Sequence, residues 1–167
     1  MASLLKKAEE GHNLLITGPP GTGKTHVVAQ IVERLLIDGK QVAVTSTTGI
    51  SATILKSKLT SIAGPDASNY EISMLSCKLL HQIEHIFRRI RRVEKPFGGV
   101  QVVLAGDFLQ LPPVPTPEYG DDGQSITESI LLQYFHCEQL SEIIRQSEPD
   151  LIQAIHEIAR YQCQLIV

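Results

Sequence analysis

One stretch of eight residues constrains this chain more than any other. It reads Gly18-Pro19-Pro20-Gly21-Thr22-Gly23-Lys24-Thr25 and fits the pattern G-x-x-x-x-G-K-[ST]. The apolar run at 13–17 predicts a buried strand before it, and apolar residues at helical spacing predict a helix after it. A strand, a glycine loop and a helix N-terminus together form a cradle for phosphates. The pattern therefore predicts that the loop binds a nucleoside triphosphate, and a plain glycine- and proline-rich turn is the weaker interpretation.

The residue types in this loop each have a chemical reason. Glycine at 18, 21 and 23 allows positive φ and lets the backbone approach phosphates where a Cβ would collide. Lys24 can reach the β- and γ-phosphates as a point charge, and the Thr25 hydroxyl can hold Mg²⁺. We therefore expect the nucleotide to bind together with magnesium.

Composition places the chain among ordinary globular proteins. Its 167 residues suit one domain, with 43% hydrophobic and 20% charged residues. No apolar stretch is long enough to cross a bilayer, and residues 1–10 lack the apolar core of a signal peptide. Three cysteines, far apart and without a C-x-x-C pair, argue against a disulfide scaffold and a zinc knuckle. We expect an intracellular protein with no membrane contact.

Charge is unevenly distributed, although the net charge is only −3. Basic residues concentrate between 78 and 95, at Lys78, Arg88, Arg89, Arg91, Arg92 and Lys95. The stretch 118–150 carries eight acidic residues and one basic residue, Arg145. A nucleic acid should therefore meet the first stretch and avoid the second.

The apolar pattern predicts strands that alternate with helices, which favours an α/β domain with a mostly parallel sheet. Besides the elements at the loop, it predicts helices at 3–10, 50–58, 76–93 and from 147, a weak helix at 125–135, and strands at 41–46 and 100–105. The helix at 76–93 should bury one apolar face, formed by Leu79, Leu80, Ile83, Ile86, Phe87 and Ile90.

The same helix contains a pattern that suggests a metal. His81-Gln82-Ile83-Glu84-His85 matches the H-x-x-E-H zinc signature. Both histidines lie opposite the apolar face, beside Arg88 and Arg92, and two arginines repel a dication. Because no third ligand can be named from the sequence, we expect a solvated polar face and no zinc.

Four further stretches resemble motifs of superfamily-one DNA helicases of the Pif type, which are relatives of RecD. The stretch at 42–52 is similar to motif Ia, 71–74 to the end of the Walker B motif, 106–114 to motif III, and 140–146 to motif IV. The likeness covers most of residues 12–160, and Gly106-Asp107-Phe108-Leu109-Gln110-Leu111-Pro112-Pro113-Val114 is its most specific part.

This resemblance implies a RecA-like P-loop NTPase domain that hydrolyses ATP with Mg²⁺ and moves 5′ to 3′ on single-stranded or forked DNA, as a monomer. Thr47, Thr48 and Gly49 would hold the phosphates of one DNA strand. The family works in DNA repair, recombination and telomere maintenance, which implies the nucleus, or a mitochondrion, in a eukaryote. Residues 1–136 would form the first motor domain, and 137–167 the start of a second or a C-terminal extension.

The resemblance also implies catalytic roles. Lys24 and Thr25, with Mg²⁺, would neutralise charge on the transferred phosphoryl group. Glu71 would orient and deprotonate the attacking water. Gln110 would sense the γ-phosphate, and Arg145 would act as an arginine finger, with a surface ion pair as its plain alternative.

The chain departs from the family pattern beside Glu71. Tyr70 stands where the family has the aspartate that holds Mg²⁺ through water, and 65–69 lack the apolar strand that precedes it. We therefore expect the Walker B strand to be missing and the segment after motif Ia to be short. Two functions stay open: a helicase motor domain, apparently truncated, or a module that binds nucleotide and single-stranded DNA without turnover. A small P-loop kinase or GTPase is a weaker third hypothesis, since no guanine-reading N-K-x-D motif is present.

Overall fold

The computed structural model describes residues 2–43, 74–108, 112–144, 148, 150, 153–155 and 157. Its main elements, in chain order, are α1 (Ala2–Glu9), β1 (Asn13–Thr17), α2 (Lys24–Ile37), α3 (Cys77–Arg91), β2 (Val103–Gly106) and β3 (Phe135–Gln139). Short 3₁₀ turns lie at Pro96–Gly99, Pro117–Tyr119, Ile126–Glu128 and Ile130–Tyr134. None of the described helices is long and apolar enough to cross a membrane.

The described strands form one parallel sheet in the order β2-β1-β3. At the carboxyl end of β1, Thr17 lies opposite Gly106 of β2 and Gln139 of β3. The three central residues of β1, 14–16, are all buried, as expected for a parallel strand covered on both faces. The predicted α/β class with a parallel sheet is confirmed.

Side chains of β1 alternate between two hydrophobic cores, as the pleat of a strand requires. Leu15 joins the core that α3 covers, whose buried members include Leu80, Phe97, Leu104, Ile126 and Phe135. Leu14 and Ile16 join the core built with α1 and α2, whose buried members include Leu4, Val27, Ile31 and Leu35. Helices therefore cover both faces of β1. The loop that follows β1 begins at the end of a strand that is packed on both faces.

Helix α3 lies close to its predicted bounds but buries only part of the predicted apolar face. The Ser76 hydroxyl caps its N-terminus. The buried helical residues are Leu80 and Glu84. Half of the predicted apolar face is exposed instead, namely Leu79, Ile86 and Ile90. The expected burial of that face is therefore wrong for these three residues.

A tight turn after α3 explains its rotation. Phe97 in this turn is fully buried with φ +52°, and its N–H donates to Glu84 Oε1 at 3.3 Å. Arg88 Nε lies 2.9 Å from the same oxygen, where it forms an ion pair without the alignment of a hydrogen bond. Phe97 also meets Phe135 of β3 edge to face, with ring centroids 5.7 Å apart. A buried carboxylate thus fixes the helix rotation, which apolar periodicity alone could not reveal.

Other predicted elements differ in extent. Residues 41–43 are not in a strand, and residues 44–46 of that prediction lie outside the described part. The predicted helix at 125–135 is two 3₁₀ turns. The hydroxyls of Ser125 and Ser129 each accept a backbone N–H and cap the start of one turn, and Ser129 separates the two. Positions 150, 153–155 and 157 are helical, within the helix predicted from residue 147.

Strand β3 was not predicted at all. Its sequence, Phe-His-Cys-Glu-Gln, is mostly polar, and only its first residue, Phe135, is buried. The expected domain boundary between residues 136 and 137 falls inside this strand, which belongs to the same sheet as β1. We therefore propose that any boundary between motor domains lies after Gln139.

Candidate phosphate-binding site

Residues 18–25 connect the carboxyl end of β1 to the first turn of α2. The backbone φ angles of Gly18, Gly21 and Gly23 are +152°, +85° and +84°. Residues with a side chain rarely adopt such values. The N–H groups of His26 and Val27 donate to the Gly23 carbonyl at 2.9 and 3.0 Å and close the first helical turn. The first N–H groups of a helix have no intrahelical acceptor, so an anion can accept from them.

Close packing adds a second requirement for glycine at position 18. A Cβ there would lie 2.4 Å from the Leu140 carbonyl oxygen and 3.0 Å from Thr22 Oγ1. Thr22 is 3% exposed, and its hydroxyl donates to the Pro19 carbonyl at 2.9 Å. The loop is thus held in shape both by its own side chains and by the chain after β3.

Lys24 lies at the start of α2 with its ammonium group against the loop. The Nζ atom donates to the carbonyl oxygens of Gly18, at 2.6 Å, and Pro19, at 3.0 Å, and Lys24 makes a further interaction as well. Thr25, the next residue, is exposed. The structure therefore brings together the glycines, the lysine and the threonine of the predicted site, and their roles in binding stay predictions.

The segment 140–144, which we call the brace, runs along the loop. The Leu140 N–H donates to the Thr17 carbonyl at 2.8 Å, and the Ile144 N–H donates to the Gly21 carbonyl at 2.9 Å. The whole of the brace lies within the stretch assigned to motif IV, but its packing against the loop was not predicted. The one available signal was the motif itself, because contacts between such distant stretches leave no local pattern.

A buried carboxylate lies at the same edge of the sheet. Gly106 and Thr17 are paired, so Asp107 and Gly18 are the residues that follow at two adjacent strand ends. Asp107 is 4% exposed and makes an interaction of its own. Sequence analysis placed Asp107 in motif III and gave it no role.

Several predicted site residues lie outside the described residues. They are Thr47, Thr48, Gly49, Glu71, Gln110 and Arg145. Tyr70 and the expected Walker B region lie outside as well, so the structure does not test whether that strand is missing. The brace ends one residue before Arg145, and its last hydrogen bond holds Ile144 to the loop.

The histidines of the H-x-x-E-H pattern have separate surroundings. His81 shares a hydrogen bond of 3.0 Å with Ser129 Oγ, in which the donor depends on the histidine tautomer. His85 is exposed. In the part of the chain that the structure describes, no three His, Cys, Asp or Glu side chains are grouped to hold a metal ion.

A parallel α/β sheet whose central strand runs into a glycine loop and a helix N-terminus defines a class, the P-loop nucleotide-binding fold. Comparison with known proteins identifies the family within this class. The family model described as PIF1-like helicase matches residues 69–166, and one described as an AAA domain matches residues 2–68. The chain belongs to the PIF1-like helicase family, which confirms the resemblance found in the motifs.

Curated relatives support the family. The chain is 35% identical to the ATP-dependent DNA helicase PIF1 of Saccharomyces cerevisiae, over 67% of this chain and 17% of the yeast protein. It is 32% identical to the yeast ATP-dependent DNA helicase RRM3, over 87% of this chain and 25% of that protein. The chain thus spans about a quarter or less of the length of these two relatives.

Solved structures show the same fold. A structure of Bacteroides Pif1 bound to single-stranded DNA matches 96% of this chain with a TM-score of 0.74 and 27% identity. Pif1 helicase from Candida albicans matches 98% with a TM-score of 0.73 and 28% identity. The match covers 45% and 46% of those chains, so this chain corresponds to somewhat less than half of each.

The alignments also contain a gap on the side of this chain. The match to RRM3 runs over 181 positions, whereas the whole chain has 167 residues. The match uses 87% of this chain, or about 145 residues, so about 36 of the 181 positions have no counterpart here. The relative carries residues inside the matched region that this chain lacks.

Proposed function

We propose that this chain is the nucleotide-binding motor domain of a Pif1-type DNA helicase. It binds ATP with Mg²⁺, and in a complete enzyme hydrolysis drives 5′-to-3′ movement on single-stranded DNA. The observation that carries this proposal is the loop at 18–25, with glycines in positive-φ conformations at the N-terminus of α2 and Lys24 against it. This geometry suits phosphate oxygens, and family membership favours ATP as the nucleotide.

The donor set at the loop edge fits a magnesium ion. Mg²⁺ prefers hard oxygen ligands and normally combines one or two protein oxygens with phosphates and water. Thr25 would supply the protein oxygen, from the first turn of α2, and the carboxylate of Asp107, directly after β2, could accept from a metal-bound water. Magnesium would neutralise charge on the phosphates, and Lys24 would contact the β- and γ-oxygens.

The remaining roles follow the family. We propose Glu71 as the residue that orients the attacking water, Gln110 as the γ-phosphate sensor and Arg145 as the arginine finger. Ile144, the residue before Arg145 in the sequence, is hydrogen-bonded to the loop.

DNA is the proposed second ligand. Single-stranded or forked DNA would contact the turn at Thr47, Thr48 and Gly49. Solved relatives are described as bound to single-stranded DNA and as unwinding forked DNA. We propose that the chain acts as a monomer. Its location would be the nucleus or a mitochondrion if the source is eukaryotic. Its roles would be those of the family, in repair, recombination and telomere maintenance.

A direct titration with ATP and Mg²⁺ tests the nucleotide assignment. Lys24→Ala should weaken binding by about 10- to 100-fold, the usual worth of a hydrogen bond to a charged group. Lys40→Ala is the matched control, because Lys40 is exposed and donates to the Glu9 carbonyl, away from the loop. Equal affinity in the wild type and the Lys24 variant would refute the assignment.

The second candidate is a module that binds nucleotide and single-stranded DNA without turnover. Two features favour it. By the motif resemblance, Tyr70 stands where the family has its magnesium-holding aspartate. The match to RRM3 also leaves out residues that this relative has. Steady-state ATPase with and without single-stranded DNA separates the candidates. DNA-stimulated hydrolysis indicates a motor, whereas tight ATP binding with no hydrolysis indicates the binding module.

A further inference from the structure

We propose that Asp107 holds the magnesium ion of the bound nucleotide through a water molecule, in place of the carboxylate that the family has at the position of Tyr70. This inference rests on the proposed function, because it concerns the metal that accompanies ATP at the loop. It assigns to motif III of this chain a task that the family pattern assigns to the Walker B motif.

Sheet register places Asp107 at the loop. Thr17 of β1 and Gly106 of β2 are paired in a parallel ladder, so both chains leave the sheet at the same edge. Adjacent strands are about 4.8 Å apart, which puts the backbone of Asp107 about one strand spacing from Gly18. A carboxylate there could accept from a water bound to a magnesium ion that Thr25 and the nucleotide phosphates would hold.

The other described carboxylates near the sheet are engaged elsewhere or exposed. The structure describes two buried carboxylates, Asp107 and Glu84, and Glu84 belongs to α3, where it accepts from the Phe97 N–H. Glu138 of β3 pairs with Lys7 of α1, and Glu142 in the brace is exposed. Asp107 is thus the described carboxylate that is both buried and at the carboxyl ends of β1 and β2.

A water-mediated contact is compatible with the interaction that Asp107 already makes. A carboxylate has two oxygens and about four lone-pair positions, so one oxygen can keep its present partner while the other accepts from a metal-bound water. Burial of the carboxylate also strengthens its attraction for a cation, because water screens it less.

The test measures how strongly Mg²⁺ improves ATP binding. ATP affinity is titrated in Mg²⁺ and in EDTA. The dissociation constant in EDTA is divided by the one in Mg²⁺, and this ratio, which measures how much Mg²⁺ improves binding, is compared between variants. Asp107→Asn keeps the shape and removes the charge, so it should lower this ratio by about 10- to 100-fold, as loss of an outer-sphere partner does. Affinity in EDTA should change little.

Glu142→Gln is the matched control, because it removes a carboxylate from the brace without changing the buried edge, and its ratio should equal that of the wild type. Equal weakening of ATP by Asp107→Asn with and without Mg²⁺ would overturn the inference and make Asp107 a support of the loop. If wild-type protein binds no ATP, the proposed function itself fails, and the two failures are thereby distinguished.

A second measurement needs no variant. With Mn²⁺ in place of Mg²⁺, electron-nuclear double resonance on wild-type protein with carbon-13 aspartate carboxylates should detect one carboxylate in the outer shell of the ion. Absence of any coupled carboxylate would also overturn the inference, even if Asp107→Asn did not fold.

Discussion

Gly18→Ala tests how the loop is held in place. Gly18 has φ +152°, and a Cβ at this position would lie 2.4 Å from the Leu140 carbonyl oxygen, which belongs to the backbone of the brace. Neither partner can rotate away as a flexible side chain would. The substitution should therefore move the brace, the loop or both, and it should affect stability and nucleotide binding together.

Two other glycines serve as controls that separate the two causes of the expected stability loss, backbone strain and close contact. Gly11 and Gly39 have φ of +84° and +73°, and a Cβ at either would meet nothing within 4 Å. Alanine there introduces backbone strain of about 1–2 kcal/mol. At Gly18 the forced contact adds an overpacking term of about 1–3 kcal/mol. We expect a loss of about 2–5 kcal/mol for Gly18→Ala and about 1–2 kcal/mol for each control.

Urea unfolding followed by circular dichroism measures these losses, with an unchanged slope as the check for two-state behaviour. Hydrogen exchange supplies the second readout, since the amides of Leu140 and Ile144 donate to the loop and should exchange faster in Gly18→Ala alone. Equal losses for Gly18→Ala, Gly11→Ala and Gly39→Ala, with unchanged exchange in the brace, would refute the close contact.

Two further predictions concern hydrogen bonds that stabilise the fold. The pKa of Asp121 lies below its ordinary value of 3.8, chiefly because the Ser76 hydroxyl donates to its carboxylate. That stabilisation is present above pH 3.8 and is lost as the pH falls through the lowered pKa of Asp121 in the folded state. As the pH is lowered through the acid range, the urea midpoint should therefore fall less for Asp121→Asn than for the wild type. Glu84→Ala leaves the buried Phe97 N–H without its acceptor and should cost about 1–3 kcal/mol in urea unfolding. Glu84→Gln keeps an amide oxygen there and should cost less, and equal losses would contradict this role of the carboxylate.

The sequence predicted the parts of the fold that follow from local chemistry. The apolar run of β1, the glycine loop and α2 agree with the structure, because a central parallel strand is apolar throughout and the loop has a fixed pattern. Strand β3 escaped prediction because four of its five residues are not buried, so it has no apolar signature. The rotation of α3 escaped for another reason: Glu84 is buried by a partner thirteen residues away, and periodicity counts such a residue as exposed.

The site escaped prediction where it depends on strand register. Thr17 is opposite both Gly106 and Gln139. Three chain segments therefore leave the sheet at the carboxyl ends of neighbouring strands: the loop, Asp107 and the brace. A slip of β3 by one residue would turn its side chains to the opposite faces and carry the Leu140 N–H away from the Thr17 carbonyl. The polar residues of β3 specify little about register, and its buried first residue, Phe135, packs against Phe97. The aromatic contact therefore anchors β3 at one end and the brace anchors it at the other, so the shape of the phosphate loop depends on packing at the far end of the sheet.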